Sequence, residues 1–219
     1  MNAEKVTIVV PTDFTKVADT AVEHAIGLCK FIPNAEVVLL HIIGKEKEKA
    51  SAEVKMKEQS EKLTTSTGIK VSYEARLGNI FDDIGAAATD LKAKLIIMGT
   101  HGVKGMQHIT GSYAVKVITH SSVPFIVVQE RGFRKGYKNL VLPFDLSKDS
   151  KQKLSLAINI AKVFSSKVHI IYPQESDTFL VNAINNNVSL AKNELRTNQI
   201  EFDVKMADEK GNFVKQFLT

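Results

Sequence analysis

The sequence predicts an α/β fold with a parallel β-sheet, because apolar runs of strand length alternate with amphipathic segments of helix length. Residues 6–10 form an apolar run, as expected of a strand that helices cover on both faces, and residues 37–43 are predicted to form a second buried strand. A further apolar strand, residues 95–98, breaks directly into glycines and small polar residues before the next helix. Strand, glycine loop and helix N-terminus in this order are typical of an anion-binding turn in such sheets.

The first helices follow from local signals. Thr15 is predicted to cap the first helix. The buried face of that helix recurs at helical spacing and consists of Ala18, Ala21, Val22, Ala25 and Cys29. Gly68 fits the C-terminal cap of a charged helix over residues 50–67, and an alternating strand follows over residues 69–75. Cys29, the single cysteine, is expected to be a core thiol.

The next elements continue the alternation. Asn79 is predicted to cap a third helix, and Asp82 and Asp83 in its first turn suit the helix dipole better than a catalytic pair. The apolar stripe of this helix consists of Ile80, Ile84, Ala87, Ala88 and Leu91. The strand at 95–98, the glycine loop and its helix come next, and a fifth strand is predicted over 125–129.

The chain contains a long internal repeat. Matching residues lie 132 positions apart, namely Pro11 and Pro143, Asp13 and Asp145, and Thr15 and Ser147. Val38 and Ile170 keep the same spacing. We therefore expect a complete domain over residues 1–131 and a second copy over 137–219, truncated at its C-terminus because nothing in it matches residues 95–129.

Composition narrows the classes of function. The chain of 219 residues is 44% apolar and has no apolar run long enough to cross a bilayer, and no signal peptide is visible. With one cysteine, these facts suit a cytoplasmic protein with no membrane partner. The net charge is +5, but lysines alternate with glutamates, as in residues 45–49, so a nucleic-acid partner is not predicted.

Ligands of parallel sheets bind beyond the carboxyl ends of the strands, where the strand order reverses. The first strand ends in Pro11, Thr12 and Asp13, and the fourth runs into the glycine loop. If these strands are neighbours, Asp13 and residues 99–112 face one crevice. No metal-ligand spacing, nucleophile elbow or Walker lysine is present, so no catalytic residue is assigned and the chain would be at most a weak ATPase.

Several motifs together make the chain resemble the universal stress protein family. They lie at residues 9–15, 39–43, 78, 98–102, 111–112 and 123–128. The resemblance implies a Rossmann-like or flavodoxin-like parallel sheet with strand order 3-2-1-4-5 and helices on both faces, here in a tandem member with a truncated second domain. Many members of the family bind ATP, and others bind no nucleotide.

The resemblance implies an adenine nucleotide as partner, ATP or AMP, with or without Mg²⁺. The binding residues it implies are Pro11, Thr12, Asp13, Ile42, Met98, Gly99, His101, Gly102, Gly111, Ser112 and Tyr113. Between the second and third glycines the chain has eight residues, 103–110, one fewer than the family's ATP-binding pattern. This difference affects the triphosphate contact more than the adenosine contact.

Each implied role has a purely structural alternative. Asp13 binds ribose hydroxyls or the adenine edge, or else forms hydrogen bonds within its own turn. Ile42 offers backbone groups to adenine, or is an ordinary strand end. The glycines and Ser112 contact phosphate, or form a tight turn and an N-cap with no ligand. His101 and Lys104 contact phosphate from the loop, or are simply exposed to solvent.

Two functions follow from these observations. One is a nucleotide-binding stress-response regulator that acts through ligand-dependent conformation or assembly. The alternative is a nucleotide-free interaction module of the same fold. In the family the fifth strand pairs across a dimer, so the resemblance also implies a homodimer through residues 124–129, an apolar edge strand.

Overall fold

The computed structural model of the chain describes residues 5–100, 111–133, 136–147 and 149–207, with the backbone alone for 111–113. The chain divides into two compact units, Met1–Lys135 and Gly136–Thr219. Each unit contains one parallel sheet.

The first unit alternates strands and helices as predicted. Its elements are β1 (Val6–Pro11), α1 (Lys16–Cys29), β2 (Ala35–Ile43), α2 (Lys49–Thr67), β3 (Val71–Leu77), α3 (Ile80–Asp90), β4 (Leu95–Gly99), α4 (Gly111–Thr119) and β5 (Phe125–Val128). The sheet order is β3-β2-β1-β4-β5 with all strands parallel, which confirms the expected order. The order reverses between β1 and β4, so the two strands that end in the acidic turn and the glycine loop are neighbours.

The predicted helix ends are confirmed. The Thr15 side chain accepts a hydrogen bond from the backbone of Ala18, and Gly68 ends α2 in the left-handed conformation, with φ of 71°. The Asn79 side chain accepts from two N–H groups of the first turn of α3, at 2.9 and 3.1 Å. Asp83 Oδ2 accepts from the Asn79 N–H at 2.7 Å, so the acidic pair in this turn serves capping.

The core of the first unit lies on both faces of its sheet. Alternate strand residues pack against α3 and α4, and these include Val9, Val38, Leu40, Ile96 and Met98. Cys29 is buried, and desolvation raises the pKa of its thiol to about 11. The thiol is therefore protonated at neutral pH, in agreement with its expected place in the core.

The second unit has three parallel strands. Its elements are β6 (Asn139–Pro143), α5 (Ser150–Phe164), β7 (Lys167–Tyr172), α6 (Thr178–Thr197) and β8 (Phe202–Met206). The sheet order is β6-β7-β8, which repeats the order β1-β2-β3. Leu142, Val168 and Ile170 pack against residues of both helices.

The register of the second unit corrects one pairing inferred from the sequence. Val10 pairs with Leu39, and Leu142, which follows Val10 by 132 residues, pairs with Ile170. Ile170 is therefore the counterpart of Leu39 and not of Val38. The physical reason is that the chain between the paired residues is one residue shorter in the second unit.

The same shift makes the opposite face of the second sheet polar. His169 takes the place of Val38, which is buried in the first unit. The His169 ring is hydrogen-bonded to Asp203 at 2.9 Å and to Asn139 at 3.0 Å. The face that packs under α3 and α4 in the first unit thus carries polar side chains such as His169, Asp203 and Asn139 in the second, beside the exposed Val141.

A buried glutamate at the amino ends of the first strands forms ion pairs with two exposed lysines. Glu36 on β2 contacts Lys5 at 2.6 Å and Lys70 at 3.0 Å, and it accepts from the Thr7 hydroxyl at 3.4 Å. Burial acts to raise the pKa of Glu36, but the hydrogen bonds and charges of the two lysines outweigh it, so the pKa lies below its ordinary value.

This carboxylate makes stability depend on acid pH. Because the pKa is lower in the folded state, the contribution is present above the ordinary value of 4.5 and is lost as the pH falls through the folded-state pKa. Replacing Glu36 with Gln should lower the free energy of unfolding at pH 7 by about 1–3 kcal/mol. The difference from the natural chain should shrink below pH 4.5. Urea denaturation across pH measures both effects, with the exposed Glu58→Gln as the control expected to change neither.

Candidate functional site

The candidate site lies at the carboxyl edge of the sheet, between β1 and β4. These strands pair in parallel, with Ile8 opposite Leu95 and Val9 opposite Ile96. The chain leaves β1 at Pro11 and β4 at Gly99, so the acidic turn and the start of the glycine loop share one edge. This juxtaposition is the one that the sequence predicts for a ligand crevice.

Part of the predicted site falls outside the described residues. His101 and Gly102 are in this group, as is most of the loop that joins β4 to α4. Gly111 begins α4, so Gly111, Ser112 and Tyr113 form the first turn of this helix, although their side chains are not among those described.

The turn after β1 holds Asp13 by local hydrogen bonds. Thr12 is buried, and its hydroxyl accepts from the Phe14 N–H at 3.2 Å. Asp13 is exposed, and its Oδ1 accepts from both the N–H of Thr15 (3.1 Å) and its hydroxyl (2.5 Å). Asp13 therefore forms hydrogen bonds within its own turn, as the structural alternative predicts, but through Oδ1 alone. Within the described parts of the chain, Oδ2 has no hydrogen-bond donor and can accept from a ligand.

The sequence analysis missed two features at this turn, the backbone conformation of Phe14 and the contact that His41 of β2 makes with it. Phe14 has a positive φ of 63°, which is uncommon for a bulky residue. The ring centroids of Phe14 and His41 are 4.8 Å apart, and His41 Nδ1 is 2.6 Å from the carbonyl oxygen of Thr12. His41 lies one residue beyond the last position of β2 that pairs with β1, and nothing in the sequence alone shows that it contacts the acidic turn.

Gly99 is required by the packing of α1 against β4. A Cβ at this position would lie 2.3 Å from the carbonyl oxygen of Val17, in the first turn of α1. Met98, the preceding residue, is buried among the side chains of the α3–α4 core. Thr100 is buried too, and its N–H donates to the Val128 carbonyl at 2.9 Å. The first glycine of the loop therefore has a structural reason that is independent of phosphate.

Ile42 lies near the end of β2, where that strand extends beyond β1. Pro11 is the last residue of β1 that pairs with β2, and its partner is Leu40. The side chain of Ile42 is partly buried against the α3–α4 core. Any contribution of Ile42 to a ligand therefore comes from its backbone.

The matching acidic residue of the second unit has a different environment. Asp145 Oδ1 accepts from the Ser147 N–H and from the Ser150 hydroxyl, both at 2.9 Å, and Lys153 Nζ is 4.0 Å away. Hydrogen bonding by Ser147, together with Ser150 and Lys153, outweighs burial and holds the pKa of Asp145 below its ordinary value. The Asp145 carboxylate is therefore hydrogen-bonded to the first turn of α5.

Neither a metal site nor a membrane span is found in the described parts of the chain. There, no group of three or more His, Cys, Asp or Glu residues is placed to hold a metal ion. The helices described include none that combines the length and the apolar character needed to cross a bilayer.

The packing of Gly99 yields a stability prediction. In Gly99→Ala the new methyl group meets backbone atoms that cannot rotate away, so the free energy of unfolding should fall by about 2–4 kcal/mol. Gly44→Ala is the matched control, because a Cβ there has nothing within 4 Å. Calorimetric unfolding of both variants measures the difference. Equal stability of the two variants would show that α1 does not approach β4 this closely.

Comparison with known proteins identifies the family of the chain. The family model for the universal stress protein family matches residues 6–129. A universal stress protein of Methanocaldococcus jannaschii is 32% identical over 145 residues, which cover 56% of this chain and 81% of that protein. A second one from the same organism is 29% identical over 154 residues, covering 57% of this chain and 94% of that protein.

Similarity of fold extends over both units. The solved structure of a universal stress protein from Archaeoglobus fulgidus matches with a TM-score of 0.77 at 20% identity, over 97% of this chain and 81% of that one. At this identity the likeness concerns the fold alone. With the family model matching more than half of the residues, the chain belongs to the universal stress protein family.

Proposed function

We propose that this chain is a stress-response regulator that binds an adenine nucleotide, ATP or AMP, between the carboxyl ends of β1 and β4, and that the nucleotide changes its conformation or assembly. The observation that supports this most directly is the adjacency of the Asp13 turn and the β4 end that opens the glycine loop. A topological reversal bordered by an acidic turn and a helix N-terminus is suited to a ligand with a ribose and a phosphate.

The adenosine end of the ligand would contact the first two strands. Oδ2 of Asp13 would accept hydrogen bonds from ribose hydroxyls, because Oδ1 is already occupied by Thr15. Pro11 and Thr12 would line this end, and the backbone of Ile42 would face the base. These roles require only that the ligand lie at the carboxyl edge of the sheet, beside the residues of β2 that extend beyond β1.

The phosphate end would lie at the start of α4. Backbone N–H groups at Gly111, Ser112 and Tyr113 have no partner within the helix in its first turn, and the helix dipole favours an anion there. His101 and Gly102 would approach from the loop. Met98 and Gly99 would support this end through packing, since the first is buried and the second lies against α1.

Asp13 and Asp145 provide a matched test of this proposal. Asp13→Asn should weaken ATP binding about tenfold or more, because a carboxylate that accepts from hydroxyls becomes a neutral amide. Asp145→Asn should leave the affinity unchanged, since that side chain is bound to Ser147 and Ser150 in the other unit. Calorimetric titration of ATP and AMP, with and without Mg²⁺, gives the affinities. Absence of saturable binding to the natural chain would contradict the proposal.

A nucleotide-free interaction module is the second candidate. The observation that favours it is the spacing of eight residues between Gly102 and Gly111, one fewer than the ATP-binding pattern. A shorter loop turns N–H groups away from positions where they would meet phosphate oxygens. In that case the titrations show no binding of either nucleotide, and the Asp13 turn serves only to begin α1.

We also propose that two chains associate through β5. This strand forms one edge of the five-stranded sheet among the described residues, so the backbone groups on its outer side can pair with another strand. Val127 is 43% exposed on it, while Val128 is buried. Apolar side chains on an edge strand with no charge among residues 125–128 are consistent with strand pairing between copies.

A charged substitution on β5 tests the proposed interface. Val127→Lys places a cation in the centre of the proposed contact and should shift the population to monomer, with an association constant lower by about tenfold or more. Val54→Lys is the control, because Val54 is 59% exposed on α2, far from β5 in the sheet order. Sedimentation velocity over a range of concentrations distinguishes the two. A natural chain that stays monomeric throughout would contradict the proposed interface.

We propose, finally, that the second unit is a partial copy of the first. Its strand order β6-β7-β8 and its parallel pairing repeat those of β1, β2 and β3. The turn after β6 also repeats the aspartate, at Asp145. On this proposal the second unit provides a scaffold related to the first without a glycine loop in residues 137–219.

A further inference from the structure

We propose that His41 is a positioning residue of the nucleotide site: it holds the β1–α1 turn in a strained form that keeps Asp13 available to the ligand. This inference rests on the proposed function for its ligand, and it adds a residue to which the family pattern assigned no role. Among the described residues, no hydrogen bond or ring contact joins His41 to Asp13. It acts through the two neighbours of Asp13.

The first contact is a hydrogen bond to the residue before Asp13. His41 is partly buried near the end of β2, and its Nδ1 lies 2.6 Å from the Thr12 carbonyl oxygen. A carbonyl oxygen can only accept, so Nδ1 carries the proton. The Thr12 N–H is held too, because it donates to the Leu40 carbonyl at 2.8 Å. Both backbone groups of Thr12 are thus anchored to β2.

The second contact is with the residue after Asp13. The rings of Phe14 and His41 have centroids 4.8 Å apart and planes inclined at 47°. Lys55 Nζ lies 5.6 Å from the Phe14 ring centroid. The Phe14 side chain therefore packs against both α2 and β2, which offsets the strain of its left-handed backbone.

The left-handed backbone at Phe14 has a consequence for Asp13. With φ of 63° at Phe14, the chain reverses between Asp13 and the cap residue Thr15, and the Phe14 N–H is taken by the Thr12 hydroxyl. Asp13 remains exposed, with hydrogen bonds to Oδ1 alone among the residues described. Strain of this kind persists only where the surroundings enforce it, and such strain is often found at binding sites.

The second unit is an internal comparison in which these residues differ. Phe144, Leu146 and Tyr172 take the places of Thr12, Phe14 and His41. Leu146 is not among the described non-glycine residues with positive φ. There Asp145 is only partly exposed, and its Oδ1 accepts from the Ser150 hydroxyl in the first turn of α5 and from the Ser147 N–H, with Lys153 Nζ 4.0 Å away. Among the described residues, its bonds too are to Oδ1 alone, so the two units differ in the exposure and neighbours of the carboxylate. The aspartate recurs in both units, but the strained turn and its histidine occur in the unit that has the glycine loop.

The test uses three substitutions in the full chain. His41→Phe keeps an aromatic ring beside Phe14 and removes the donor to Thr12. His41→Asn keeps a donor close to the position of Nδ1 and removes the ring. His169→Asn is the matched control, because it removes a hydrogen-bonded strand histidine from the second unit.

Two measurements are made on each variant. Calorimetric titration with ATP and with inorganic triphosphate distinguishes an effect on the adenosine contacts from an effect on the phosphate contacts. Hydrogen exchange of the Phe14 amide, followed by NMR, reports the turn without any nucleotide, because this N–H is bound to the Thr12 hydroxyl.

We expect His41→Phe to weaken ATP binding about tenfold and to speed exchange at Phe14 by a similar factor. Triphosphate binding should not change. His41→Asn should retain ATP affinity to within about threefold, and the control should match the natural chain. Natural affinity and natural exchange in His41→Phe would overturn the proposal. If this variant does not fold, His41→Gln, whose amide lies one carbon further out, replaces it with the same expectation.

The experiment separates this inference from the proposed function. If the natural chain binds neither ATP nor triphosphate, the proposed function fails, and exchange at Phe14 decides the role of His41 by itself. Faster exchange in His41→Phe than in His41→Asn then supports positioning of the turn. Equal exchange in all variants overturns it.

Discussion

The close contact between α1 and the end of β4 is the constraint on which the arrangement of this site depends. Gly99 has no side chain, and a Cβ there would lie 2.3 Å from the Val17 carbonyl oxygen. The first turn of α1 can therefore pack directly on β4. Thr15 caps this turn and also donates to Asp13, so the contact of α1 with β4 fixes the position of the acid relative to the end of β4.

The sequence was sufficient for those features of the fold whose signals are local. The caps at Thr15, Gly68 and Asn79 are determined by the hydrogen bonds and φ values of a few consecutive residues, and all three are present. The alternation of strands and helices also follows from periodicity within each segment. The strand order came from the family resemblance, since pairing of distant strands leaves no local trace in a single sequence.

The features that could not be predicted arise from contacts between distant segments. Gly99 in the sequence is a loop glycine, and its approach to α1 depends on how tightly β4 packs on Val17, a residue 82 positions earlier in the chain. The left-handed Phe14 lies against the ring of His41, a residue of β2, and no pattern within either segment shows this contact. The register that places Ile170 opposite Leu142 depends on the length of an entire strand–helix connection.

The two units show that the strand scaffold and the chemistry of its edge are separable. The core of the second unit contains strand residues that face the helices, such as Leu142 and Ile170, and also Phe144 in the turn after β6. The strand order is the same in both units although this turn differs, with the core residue Phe144 at the position of Thr12. In the second unit Asp145 forms part of a helix start, and hydrogen bonding lowers its pKa.

The opposite sheet face also differs between the two units. His169 occupies the place of Val38, and its hydrogen bonds to Asp203 and Asn139 satisfy polar groups that an overlying apolar helix would leave without partners. A face of this composition is stable in water, whereas Val38 and Leu40 are buried under α3 and α4 in the first unit. In the described residues, the acidic turn with a left-handed residue and an apolar sheet face for two further helices occur together in the first unit.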